Sequence, residues 1–265
     1  MSPARSAIAF LFDVDNTLLD NDHVIADLQR HLEREVGAER AQHDWSLFEQ
    51  LRTELGYADY LGALQRYRGE YPRDPGILTV SHFLLNYPFA DRLFPRGLEV
   101  IEHVKHWGPA ALLTDGDVVF QPRKVDRSGL FEAVAGQVFI YLHKEKELAD
   151  VAERCPAEHY VLVEDKLRIL SAVKTSWGSR VTPCLCARAI TPATRRFWRT
   201  FRPRTSASIA LATCWITIAQ TSHHELQRLP PRARSLDMNL PANSVAFGAP
   251  GIEPRRTPQP AARVA

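Results

Sequence analysis

Short, uniformly apolar runs alternate along this chain with segments whose apolar residues recur every three or four positions. Residues 7–12 form the first run and stop abruptly at Asp13, as expected of a strand buried on both faces. Val24, Leu28, Leu32 and Val36 then fall at helical spacing, as do Phe48, Leu51 and Leu55, and Tyr60, Leu64 and Tyr67. Residues 21–92 are therefore predicted to be mainly helical, broken by the turn residues 71–76. From Pro95 the period changes. A helix over 97–107 precedes a strand at 110–114, a helix carries Lys124, Arg127 and Leu130, and a strand spans 137–142. A helix over 145–154 and a strand at 160–163 follow, and 181–186 is weakly strand-like, with Pro183 acceptable only at a sheet edge.

Alternating strands and helices predict an α/β fold with a Rossmann-like parallel sheet covered by helices on both faces. The roughly 70 residues between the first strand and this alternation are too many for a simple crossover. They predict a helical cap inserted at residues 20–95, dividing a core made of 1–19 and 96–190. The aromatics of that insertion (Tyr57, Tyr60, Tyr67, Tyr71, Phe83, Tyr87, Phe89) read mostly as packing, with some available to a substrate pocket.

Polar residues that carry chemistry cluster where the apolar runs end: Asp13 and Asp15, Thr114-Asp115-Gly116, Lys144, and Glu164-Asp165. In parallel sheets that is where ligands bind. Asp13 and Asp15 repel each other unless a cation or a shared proton intervenes. Carboxylates suit a magnesium site, and one of them can act as nucleophile while another moves a proton. A hydroxyl, the backbone of a Thr-Asp-Gly turn and a lysine can hold a phosphoryl group.

On these residues, above all Asp13-Val14-Asp15-Asn16-Thr17, the sequence resembles the haloacid dehalogenase-like hydrolase superfamily over about residues 7–182. The resemblance implies a nucleophile at Asp13 and an acid/base at Asp15. It implies a second-motif hydroxyl at Thr114 and a third-motif lysine at Lys144, with Lys124 and Lys146 as competitors for that place. It makes Glu164 and Asp165 the acidic pair that, with Asp13 and the backbone carbonyl at Asp15, holds Mg2+. Thr114, Asp115, Gly116 and Lys144 would then bind the substrate phosphate. Family dehalogenases lack an acid at the second position and need no metal, so Asp15 favours a phosphatase acting on a small phosphorylated metabolite. The same motifs fit a phosphomutase.

Composition adds two things. With 45% hydrophobic and 24% charged residues, no apolar run long enough to span a bilayer and four cysteines all from Cys155 onward, the expectation is a cytoplasmic globular protein without a disulfide framework. The net charge of +2 also conceals a division: residues 183–265 hold 12 arginines, no lysine and three acidic residues, whereas 1–182 carry a net −7. Ten of the 18 prolines fall in that later part. Residues 191–265 thus form an atypical Arg- and Pro-rich tail for which order is not expected. A nucleic-acid role is not expected either, since no recognisable module accompanies the arginines. The composition matches out-of-frame translation of a GC-rich gene beginning near Thr182, which would leave the chemistry encoded but the sheet incompletely covered. A non-catalytic chain is the corresponding alternative.

Overall fold

The computed structural model describes residues 5–186. The Arg- and Pro-rich tail, and with it the reading-frame question, lies outside the described residues. Five strands form one parallel sheet in the order β3-β2-β1-β4-β5: β1 Ser6–Phe12, β2 Ala110–Asp115, β3 Val138–Tyr141, β4 Ala157–Glu164 and β5 Val181–Leu185. The chain builds outward from β1 to β3 and then returns to the other side of β1. The first turn back therefore lies between β1 and β4, where ligands bind in such sheets.

The period of two along each strand explains the layering. Phe10, Phe12, Ala110, Leu112, Val161 and Val163 face one hydrophobic core. Ala9, Leu11, Ala111, Leu113, Tyr160 and Leu162 face the other, against α8 (Leu148–Arg154) and α9 (Leu167–Trp177). Pro183 sits in β5, paired on one side with β4, as its missing N–H requires.

After β1 the chain makes an excursion of four helices: α1 Asn21–Val36, α2 Ala38–Leu55, α3 Tyr60–Glu70 and α4 Gly76–Asn86. Asp20 caps α1 by accepting from His23 N, and Asp59 caps α3 by accepting from Gly62 N. The chain leaves and re-enters the sheet through paired segments, with Phe94 N donating to Leu18 O at 2.9 Å and Asp20 N to Arg92 O at 2.8 Å. Then come α5 (Gly97–Val104), which stops three residues short of the sequence expectation, α6 (Phe120–Arg127) and α7 (Leu130–Ala133). The sequence pattern reads α6 and α7 as one helix. Gly129, at φ 78°, separates them, because a left-handed residue ends the helical path. Likewise 145–154 is not one helix: Lys144–Lys146 is a 3₁₀ turn and α8 starts at Leu148. No described helix is long and apolar enough to cross a membrane.

Candidate active site

The carboxyl ends of β1, β2 and β4 and the loop after β3 bring the predicted residues together. Asp13 is 1% exposed, and Lys144 and Glu164 are fully buried. The Lys144 ammonium bonds Asp13 Oδ1, lies 2.6 Å from Glu164 Oε2 and donates to Leu113 O at 3.1 Å. Its backbone N–H donates to Asp115 Oδ1 at 2.7 Å, which fixes the loop after β3 against the end of β2. Thr17 Oγ1 donates to Asp13 Oδ2 at 3.2 Å. Lys146 makes none of these contacts.

Burial works to raise the Asp13 carboxyl, but Lys144 and then Lys166 outweigh it and hold the group below the usual carboxylate range. Glu164 goes the other way: burial first, then the Asp13 charge, push it up to about 8, against the pull of Lys144. Burial likewise raises Asp165 and Asp115. Several carboxylates thus share too little compensating charge, the condition a cation relieves.

Asp13, Glu164 and Asp165 place carboxylate oxygens within 4.8 Å of one another. Asp165 Oδ1 is buried and has no hydrogen-bond partner among the described residues. Hard oxygen donors with one left unsatisfied fit a magnesium ion. The Asp15 side chain stands outside that cluster, its Oδ1 2.6 Å from Lys124 Nζ.

A cavity of about 420 Å³ lies over these groups. Asp15, Asp115 and Asp165 line it from the sheet side, and Trp45, Phe48, Glu49, Arg52, Tyr57 and Tyr60 from the helices. Only Tyr57 and Tyr60 of the seven aromatics read from the sequence reach it; Tyr67 and Phe89, for instance, are fully buried in packing. Asp13, Lys144, Glu164, Thr114 and Gly116 lie behind the wall rather than on it.

Thr114, 1% exposed, accepts from Gln121 Nε2 at 2.9 Å. Gly116 differs from expectation. Its N–H is already donated to Tyr141 O at 2.9 Å, so it is not offered to an anion. Glycine is needed there for a different reason: a Cβ would lie 2.5 Å from Gln121 Cβ. The spacing of chemistry-bearing residues missed Gln121, Asn21 and Lys166. Gln121 and Lys124 share one face of α6, and that i, i+3 polar pair just after a strand end is the signal that could have found them.

No family model and no curated protein matches the sequence. A solved structure from Burkholderia xenovorans LB400, described as a haloacid dehalogenase-like hydrolase, is 59% identical over 68% of this chain and 84% of its own length, with a TM-score of 0.66. The chain belongs to the haloacid dehalogenase-like hydrolases. Two more distant structures share the fold of this hydrolase: a family member from Xanthomonas campestris (17% identity, 85% of this chain and 97% of that one, TM-score 0.53) and YfnB from Bacillus subtilis, solved with magnesium (19% identity, 71% and 90%, TM-score 0.50).

Proposed function

We propose that this hydrolase releases phosphate from a small phosphomonoester, with Mg2+ as cofactor and an aspartyl-phosphate on Asp13 as intermediate. The observation that carries the reading is Asp15, an acid two residues beyond the buried Asp13 and on the cavity wall. Carbon–halogen cleavage has no use for an acid there, since halide leaves without a proton, whereas an alkoxide leaving group needs one. The cavity volume suits a small leaving group. The fold is also that of YfnB, which binds magnesium.

In this mechanism Asp13, kept ionised by Lys144, attacks phosphorus. Lys144 and the Thr114 hydroxyl hold the phosphoryl oxygens, and Asp15 protonates the departing oxygen. Asp15 then takes the proton of the water that hydrolyses the acyl phosphate. Asp13, Glu164 and Asp165 would hold Mg2+, which when bound neutralises phosphoryl charge and fixes its orientation. The helices over residues 21–86 act as a cap that excludes water and selects the leaving group. Because Asp13 is almost fully buried, substrate enters only after that cap moves.

The test is a phosphate-release screen over phosphomonoesters with Mg2+, comparing the wild type with Asp13→Asn. The variant is expected to lose at least about 10³-fold in kcat. Undiminished release would refute the nucleophile, and transfer to a sugar bisphosphate without net release would make the chain a mutase.

A further inference from the structure

Lys124 is 1% exposed, on the first turns of α6. Its ammonium donates to Asp15 Oδ1 at 2.6 Å and to Asn21 Oδ1 at 3.1 Å, and lies 5.1 Å from the centre of the Phe120 ring. A methionine or leucine would fill the same space without desolvating a charge, and a buried ion pair rarely improves stability over such a replacement. The pair is better explained by what it does to Asp15.

A carboxyl group has two chemically equivalent oxygens, and only one can face a leaving group. Oδ1 of Asp15 is engaged by Lys124, whereas Oδ2 has no hydrogen-bond partner among the described residues. An oxygen that accepts from a protonated amine cannot also carry the proton on that lone pair. One turn earlier on the same helix, Gln121 orients the Thr114 hydroxyl, so a single face of α6 holds two groups of the site.

We propose that Lys124 is a positioning residue that reserves Oδ2 of Asp15 for proton transfer; this rests on the phosphatase reading above. In the first half-reaction the Asp13–phosphorus bond forms, the phosphorus–leaving-group bond breaks, and the proton on Oδ2 passes to the leaving oxygen. In the second, water attacks phosphorus, its proton returns to Oδ2 and the Asp13–phosphorus bond breaks. Lys124 keeps its own protons throughout.

The experiment uses full-length protein with Mg2+, assayed on p-nitrophenyl phosphate and phenyl phosphate, in wild type, Lys124→Met and Lys124→Gln. The nitrophenolate leaves without a proton. Its kcat/KM, set by the first step, is therefore expected to stay within about threefold in Lys124→Met, while kcat, limited by hydrolysis of the intermediate, falls about 10²-fold. For phenyl phosphate, a poorer leaving group, kcat/KM is expected to fall as well. Lys124→Gln, a neutral donor, recovers part of each loss, and it carries the comparison if Lys124→Met fails to fold by circular dichroism. Equal loss of kcat/KM on both esters, or no change on either, would overturn the assignment of Lys124 alone. A wild type silent toward both esters would overturn the phosphatase reading and this assignment with it.

Discussion

Lys144 bridges two buried carboxylates, Asp13 and Glu164, so its removal takes away the ammonium that both touch and leaves only the more distant Lys166 to balance them. Lys144→Met is expected to destabilise the metal-free protein by about 3–5 kcal/mol, read by urea denaturation. Asp44 illustrates the opposite case. It is 3% exposed on α2, its Oδ1 has no hydrogen-bond partner among the described residues, and burial lifts its carboxyl to about 6 against a weak pull from His43. Well below pH 4 the group is protonated folded or unfolded and costs nothing. Between about pH 4 and 6 the unfolded state ionises while the folded state resists, so stability falls across that window and levels off above it, once the folded group ionises too. Asp44→Asn should therefore gain about 3 kcal/mol at pH 7.5 and almost nothing at pH 3, in paired thermal melts. The acids, Thr114 and Lys144 were legible in the sequence because each ends an apolar run. Gln121 and Asn21 were not, since a partner seven or about a hundred residues away leaves no local period to read.

At the scale of elements, α6 acts as a strut. Besides Gln121 and Lys124, it sends Arg123 to Leu85 O at 2.9 Å, and Arg127 to Tyr87 O at 3.3 Å and Asn86 O at 3.2 Å. The open carbonyls at the C-terminus of α4 are thus met by cations from the helix after β2. Gly116→Ala drives a methyl into Gln121. The expected result is a loss of about 1–3 kcal/mol together with reduced kcat, as the Thr114 hydroxyl loses its donor. A variant with unchanged melting and unchanged kcat would contradict the strut. The strands were legible within a residue or two, since their apolar runs are continuous, except that β4 starts at Ala157, three residues before the apolar run at 160–163. The break between α6 and α7 was not, because apolar spacing continues across Gly129 and only its backbone angle ends the helix.

For the whole molecule, the parallel sheet and the placement of the site at its carboxyl edge followed from the strand–helix alternation. The strand order did not, since no local pattern says on which side of β1 the chain returns. Mg2+ binding to the folded state alone should raise stability. At tenfold excess over its dissociation constant the gain is about 1.4 kcal/mol, a rise of a few degrees in Tm that Asp165→Asn abolishes. An equal rise in that variant would place the ion elsewhere.

The segments flanking Leu18 and Phe94 run side by side, joined by backbone hydrogen bonds. The four-helix excursion is consequently joined to the sheet through one double stem, like a leaf, and the end of its last helix is held down by Arg123 and Arg127 of α6. Swinging it about the stem requires those α6 contacts to part but leaves β1 paired with its neighbours, so an excursion of another length could be exchanged for it while the hydrolytic machinery beneath keeps its register.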